Sequence, residues 1–480
     1  MNSAEEKVEK VVVMKFGGSC LVDSDSFDQI VNIIQLYRPK DKVIITTSAL
    51  SGITDKLMEF YKSSCVESIE CDDLLEDIYK IHLALLKTII PSDSSQSQKA
   101  QRFIEENFDE IKQLGKIIRL LRPSLDIQDL ICSYGERLST YILSEFLNFH
   151  DIEAKFISSD ELIITDDNFS RALPLLKETE AIIKKDLVPT VSKNVNEILC
   201  ITGYYGSTLD KKVTTLGRGG SDLTAAILVY SLRNDFDCRV IYWKDVKGFL
   251  NADPQIAEQT ALLKQISYAE AKELTYFGSK ILHPLCLDIS EKGDIISEIR
   301  AFNEPQSNDF TTITKEIIEG DQVIKAITSI YKLAMVTIEG DMMIPLSGTA
   351  SKLFSLLGDN NINIVFISQS SSENNITFGI YFEDSSKVSF LLRNSEFFGK
   401  NWFQIKIDNE ISLVAVIGAG VLFTPGIAGK VFGSLGKNSI NILAIAQGSS
   451  ELNFTAIIER KNCKKAVNVL YNTFIGNMDL

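Results

Sequence analysis

Two rhythms of apolar and polar positions run along the chain, and they change over near residue 320. Before that point, short apolar runs rich in β-branched residues alternate with longer amphipathic stretches. VVVMKF (11–16), KVIITTSA (42–49), AKFISS (154–159), ILCITGYY (198–205) and RVIYWKD (239–245) read as strands covered on both faces, as in a parallel sheet. Between them, SFDQIVNIIQLY (26–37), LLEDIYKIHLALLKTII (74–90) and GERLSTYILSEFLNF (135–149) place apolar residues at helical spacing. Strands alternating with helices predict an α/β fold, a three-layer αβα sandwich with a mostly parallel sheet. The Ser/Gln-rich PSDSSQSQ at 91–98 predicts a solvated loop between two helices, and the charged EIIEGDQ at 316–322 predicts a domain boundary.

Beyond that boundary the chain repeats itself. Shifted by 78 positions, 340–377 aligns with 418–455 without a gap, and 18 of 38 residues match. Each copy reads as a strand, a glycine-bearing loop, an amphipathic helix, then Asn-Ile and a second strand. Ala350, Leu353, Phe354 and Leu357 at helical spacing recur as Ala428, Val431, Phe432 and Leu435. The pattern predicts two α+β modules after the sandwich, with domains at 1–318, 319–400 and 401–480.

Composition narrows the function classes. The chain has 480 residues with 49 Lys and Arg against 64 Asp and Glu, a net charge of −15. A field of that sign repels phosphate backbones and anionic lipid, so neither nucleic acid nor membrane is an expected partner. The N-terminus MNSAEEKVEK lacks the apolar core of a signal peptide, and no apolar run is long enough to span a bilayer, which predicts a cytoplasmic protein. Eight cysteines without a C-x-x-C pair predict reduced thiols, and three separated histidines predict no metal site.

Candidate chemistry gathers in glycine-rich segments. Lys15-Phe16-Gly17-Gly18-Ser19 closes the first predicted strand, where glycines let backbone N–H groups approach phosphate oxygens and the lysine supplies a point charge. Neither a G-x-x-x-x-G-K-[ST] loop nor a G-x-G-x-x-G fingerprint is present. Thr214-Thr215-Leu216-Gly217-Arg218-Gly219-Gly220-Ser221-Asp222 precedes a helical pattern, and an arginine there can take a carboxylate bidentately beside helix N-terminal amides. Ser133-Tyr134-Gly135-Glu136-Arg137 offers a carboxylate to an ammonium group. Trp243-Lys244-Asp245 ends another strand, and Tyr276-Phe277-Gly278-Ser279-Lys280 leads to Leu282-His283-Pro284, where the proline should disturb a helix.

Taken together, KFGGSC, TSALSGIT (47–54), SYGERLS, TGYYGS (202–207), TTLGRGGSD, WKDVKGFLNADP and AKELTYFGSKILHP resemble the aspartokinase family over nearly the whole chain. The resemblance implies the amino-acid-kinase fold followed by two ferredoxin-like ACT domains that bind an amino-acid effector. It implies ATP-dependent phosphorylation of the L-aspartate side-chain carboxylate, the first step toward lysine, methionine and threonine. Because the chain stops at Leu480, it predicts a monofunctional enzyme without a fused dehydrogenase. Another amino-acid kinase, or an amino-acid sensor with a silent kinase domain, are the alternatives.

By that resemblance Lys15, Gly17, Gly18 and Ser19 hold the ATP phosphates, and Lys244, Asp245 and Lys280 also contact the nucleotide. Arg218, with Gly219 and Gly220, clamps the substrate α-carboxylate, Glu136 takes its α-ammonium group, and Ser48, Thr54 and Ser221 complete the pocket. Lys15, Arg218 and Asp222 are the expected catalytic residues, with Mg²⁺ bridging the phosphates. Asn363, Ile364 and Gln369, and their repeat equivalents Asn441, Ile442 and Gln447, are the expected effector contacts, with threonine favoured over lysine and a homodimer expected. The chain departs from the usual pattern at Cys20, Leu250, Gln255 and Phe310.

Overall fold

The structure, a computed structural model, describes residues 9–66, 70–120, 123–193, 196–279, 281–316, 323–340, 348–369, 375–400, 402–421, 424–446 and 452–476. Its contacts separate two units, one of Met1–Phe249, Lys264–Tyr268 and Lys280–Glu316 and one of Leu250–Leu263, Ala269–Ser279 and Ile317–Leu480. Residues 250–263 and 269–279, which the sequence places inside the first domain, are held within the second unit.

The first unit is built on an eight-stranded sheet. Its strands are β1 (Lys10–Phe16), β2 (Lys42–Thr47), β3 (Ala154–Ile157), β4 (Ile198–Thr202), β7 (Asp237–Lys244), β8 (Gln265–Ser267), β9 (Ile296–Ala301) and β10 (Thr311–Thr314). They lie in the order β3-β4-β2-β1-β7-β9-β10-β8, and a separate two-stranded ribbon joins β5 (Tyr205–Ser207) to β6 (Val213–Thr215). Every neighbouring pair in the large sheet is parallel except β9 with β10. Four of the apolar runs, in β1, β2, β4 and β7, are central with both faces covered, and Val11 to Met14 and Ile44 to Ile45 are at most 1% exposed; the fifth, in β3, lies at the sheet edge and is only partly buried, contrary to the expectation of cover on both faces.

Helices Ser24–Tyr37, Ile53–Cys65, Glu70–Ile89, Ser95–Leu120 and Leu125–Phe149 share one apolar core with β1, β2 and β4. Helix Gly220–Leu232 packs against β1, β2 and β7, with helix Pro284–Lys292 beside it. All thirteen of its residues are buried, as expected of a helix apolar on every side. Two expectations are corrected here. The 91–98 segment is not a plain loop: Ser94 Oγ accepts from the Ser97 amide at 3.1 Å, and the helix is under way from Ser95. Pro284 does not disturb a helix but begins one, with His283 as its cap, because a first-turn proline has no N–H bond to lose.

His82 is fully buried in this core, its Nδ1 2.8 Å from the Ile78 carbonyl, and burial pushes its pKa down to about 4. The unfolded chain takes up the proton near pH 6.5, so the stability His82 lends is complete above that value and is lost as the pH falls toward 4. Between pH 7 and 4.5, urea unfolding should cost the wild type about 2–3 kcal/mol more than a His82→Leu variant. Equal losses would mean that the ring takes its proton without leaving the core.

The second unit holds a six-stranded antiparallel sheet of β11 (Ala326–Glu339), β12 (Ile364–Gln369), β13 (Asn375–Tyr381), β14 (Gln404–Ile417), β15 (Ile442–Ala446) and β16 (Asn453–Glu459), in the order β12-β13-β11-β14-β16-β15. Two strands serve both repeats. The second half of β11, Leu333–Glu339, pairs with β13 and with the first half of β14, whereas its first half, Ala326–Ile330, pairs with Leu413–Ile417. Ile411–Ile417 in turn pairs with β16. The register shifts where the strands pass from one repeat to the other, and there Arg460 donates to the carbonyls of Leu333 and Asn409 and pairs with Glu410 at 3.1 Å. Helices Thr349–Asp359 and Ser385–Asn394 cover one half-sheet; helices Ile427–Lys437 and Cys463–Phe474 cover the other.

The duplication extends to backbone detail. Gly348 and Gly426, one repeat apart, precede their helices at φ 84° and 87°, a region that disfavours a side chain. Asn361 and Ser439 match at 55° and 58°. Pairing is irregular at Ile364/Phe366 and again at Ile442/Ala444. In the same unit Asn251 Oδ1 accepts from the Ala261 amide at 2.8 Å, and Glu270 accepts from the Ala419 amide at 3.0 Å while pairing with buried Lys325. Among the described residues no helix is long and apolar enough to cross a membrane.

Candidate active site

The parallel register aligns the carboxyl ends of four strands. Phe16 stands beside Thr47 and Trp243, and Thr47 beside Thr202, so the residues that follow them face one crevice. A cleft of about 680 Å³ opens there, lined by Lys15, Ser48, Thr54, Asp55, Met58, Glu136, Tyr204, Gly217 to Asp222, and Lys244.

One part of the cleft is strongly basic. Lys15, near the end of β1, is 6% exposed and lies 2.7 Å from Asp222 Oδ1, while Lys244, the last residue of β7, donates to Asp222 Oδ2 at 2.8 Å. Asp222 comes from the first turn of helix Gly220–Leu232 and so joins two strands that flank it. Burial alone would push its carboxyl up, but the two ammonium groups outweigh that and hold it below the usual carboxylate range. Two cations on one carboxylate leave a net positive charge, and Lys15 Nζ lies close to Gly17. Such an arrangement suits a phosphate chain.

The other polar groups suit a zwitterion. Glu136 projects from helix Leu125–Phe149, is 2% exposed, and its Oε2 has no hydrogen-bond partner. Burial pushes its pKa up to about 8, opposed by hydrogen bonds from the backbone and by the Lys15 charge. A buried acid with an idle oxygen facing a cleft is poised for a cationic ligand. Arg218 stands exposed in the glycine loop among the same lining residues.

Close packing explains the glycines of the loop. Gly219 sits at φ 78° as the cap of helix Gly220–Leu232, and a Cβ there would meet His283 Cβ at 2.9 Å. At Gly203 a Cβ would come within 2.6 Å of both Ser221 Cβ and the Thr47 carbonyl. Ser139 Oγ donates to the Ser48 carbonyl at 2.7 Å, so the helix carrying Glu136 also steadies the strand end opposite.

Of the residues singled out by sequence, Lys15, Ser48, Thr54, Glu136, Arg218, Gly219, Gly220, Ser221, Asp222 and Lys244 are brought together in this cleft. Gly17, Gly18 and Ser19 form the turn after β1, with the Cys20 amide bonded to the Gly17 carbonyl at 2.9 Å, and Asp245 is exposed just past β7. Lys280 and Gln447 lie outside the described residues, as does the side chain of Gln369. Asn363 and Asn441 are exposed at matching positions ahead of β12 and β15, which begin at Ile364 and Ile442. Sequence reasoning missed Asp55, Met58 and Tyr204. Asp55 and Met58 follow Thr54 on helix Ile53–Cys65, and Tyr204 adopts φ 76°, which the residue pattern does not reveal.

Residues 10–300, more than half of the chain, match the profile of the amino acid kinase family. The chain belongs to that family. Residues 336–393 and 414–474 match the ACT domain, so the duplicated modules of this amino acid kinase are ACT domains. The bifunctional aspartokinase/homoserine dehydrogenase of Buchnera aphidicola is 31% identical over 97% of this chain, which covers 56% of that relative. The chain thus spans about half the length of the bifunctional relatives it matches. Aspartokinase 2 of Arabidopsis thaliana is 28% identical, with 97% and 84% of the two chains covered. Escherichia coli aspartokinase III in complex with aspartate and ADP superposes with a TM-score of 0.78 at 25% identity over 97% of this chain and 99% of that one; its complex with lysine and aspartate gives 0.81 at the same identity and coverage.

Proposed function

We propose that this chain is an aspartate kinase, transferring the γ-phosphoryl group of ATP to the side-chain carboxylate of L-aspartate to give 4-phospho-L-aspartate. One observation carries the reading: a single cleft holds the Asp222-bridged lysine pair together with the buried Glu136 carboxyl, whose Oε2 has no partner, and the exposed Arg218. The first matches a polyphosphate, and the second a small amino acid carrying its own anion.

The chemistry needs no general base. A free aspartate side chain has a pKa near about 3.9 and is already ionised at neutral pH. Its oxygen attacks the γ-phosphorus, the bond to the β-bridging oxygen breaks, and ADP leaves with that electron pair. Two anions must therefore be held together, and Lys15 and Lys244 screen the charge that accumulates on the phosphoryl oxygens. Arg218 aligns the α-carboxylate and Glu136 the α-ammonium group, which aims the remaining carboxylate at the phosphorus. Among the described residues no group of three or more His, Cys, Asp or Glu side chains is placed to hold a metal ion. The described residues therefore offer no dedicated cage for Mg²⁺, which would enter on the nucleotide's own phosphates and help to neutralise their charge.

The ACT pair supports feedback by an end-product amino acid, with threonine favoured over lysine, acting near Asn363 and Asn441 in a homodimer. That E. coli aspartokinase III is found with lysine makes lysine the competing effector. The test is ATP-dependent formation of aspartyl hydroxamate from L-aspartate, hydroxylamine and Mg²⁺, repeated with threonine and with lysine. Product is expected, with inhibition by threonine; no product from folded protein at saturating substrate would overturn the reading, and inhibition by lysine alone would replace the effector.

A further inference from the structure

Asp129 lies two helical turns before Glu136 on helix Leu125–Phe149, is 1% exposed, and does not line the cleft. It accepts four hydrogen bonds from two separate segments. The Ser170 amide and the Thr215 amide each donate to Oδ2 at 2.7 Å, while the hydroxyls of Ser170 and Thr215 donate to Oδ1 at 3.2 and 2.9 Å. A buried carboxylate so fully satisfied is costly to disturb, because any lost bond leaves a charge or a donor without a partner.

What it holds is the approach to Arg218. Thr215 ends β6, and the glycine loop begins immediately after it. Ser170 sits at φ 70°, a strained conformation for a residue with a side chain, and its carbonyl is 3.2 Å from where a Cβ at Gly217 would stand. The Ala172 amide donates to the Thr215 carbonyl at 2.9 Å, and Gln128 Nε2 donates to Ser170 Oγ at 3.0 Å. The 166–175 segment is thus laced to the start of the glycine loop, and Asp129 is the knot.

We propose that Asp129 is a positioning residue for substrate recognition: by tying Ser170 to Thr215 it fixes the path of the glycine loop and so the place from which Arg218 meets an α-carboxylate. The choice of ligand rests on the aspartate-kinase reading; the mechanical role does not. One helix then serves both charges at the substrate's α-carbon, Glu136 by contact and Asp129 through the loop. The lysine pair at Asp222 is reached from β1 and β7 and lies outside this linkage.

Two readouts on the full chain separate these ideas. Asp129→Asn keeps the shape but turns one acceptor into a donor facing donors. It should raise the aspartate KM at least tenfold while the ATP KM stays within twofold. Hydrogen exchange should quicken in peptides from 166–175 and 213–219 and stay unchanged in 11–20. Thr215→Val, which removes only the hydroxyl bond, should shift the same quantities by about threefold and guards against a variant that fails to fold. Unchanged aspartate KM and unchanged exchange would overturn the proposal, as would faster exchange throughout the kinase unit, which marks a general stabilising role. If the wild type neither binds nor phosphorylates aspartate, the functional reading has failed, and exchange confined to the two segments still decides for the loop linkage.

Discussion

Replacing Lys15 with alanine is expected to lower kcat by about a thousandfold, the loss typical of removing one preorganised charge from a transition state. Lys15 is nearly sealed from water, so its charge acts in a medium where screening is weak. The protein should still fold, because Asp222 keeps Lys244 as a partner at 2.8 Å. The aspartate KM should move little. Arg218→Ala should do the reverse, raising the aspartate KM by about 10–100-fold through the loss of a charge-assisted pair, with a smaller effect on kcat. Steady-state kinetics with each substrate varied will tell the two apart, and exchanged effects would mean that the phosphate and amino-acid ends have been assigned the wrong way round.

Aspartate binding should release close to one proton at pH 7. In the unliganded cleft burial holds Glu136 at about 8, so it is mostly protonated at neutral pH; an ammonium group arriving beside it favours the ionised form. The sign follows directly. Affinity should rise as the pH climbs toward 8, by up to about tenfold per unit, and level off above the free value until the substrate's own ammonium group begins to titrate. Titration calorimetry in buffers of different ionisation enthalpy reads the proton count. Glu136→Gln should abolish the release and weaken aspartate by about 10–100-fold. A wild type that binds with no proton exchanged would place the ammonium group elsewhere.

Much of the fold could be read from the chain because the physical signals were local. Val11 to Phe16 announced a central strand since no polar side was needed, and the shift of 78 positions announced two modules of one kind. The site was legible where a residue type carries its own chemistry, as with Lys15, Glu136, Arg218 and Asp222. It was not legible where a role depends on distant chain. Asp129 looks like an unremarkable helix residue until Ser170 and Thr215, 41 and 86 positions away, are seen to converge on it. Pro284 misled because the same ring that breaks a helix interior also suits its first turn, and only His283 as a cap distinguishes the two.

The sharing of β11 and β14 has a bearing on how such a chain can be inherited. A segment ending near residue 400 would carry the helices of the first repeat but lack the strand half Gln404–Asp408 that borders its sheet, and the remainder would lack Ala326–Ile330. Neither fragment brings away a finished sheet. Recombination that swaps regulatory halves between relatives should therefore survive only when the breakpoints lie outside both repeats, so that the pair travels as one exchangeable cassette. Within it, a substitution that adapts one repeat to a new effector is constrained by a strand that the other repeat must also keep.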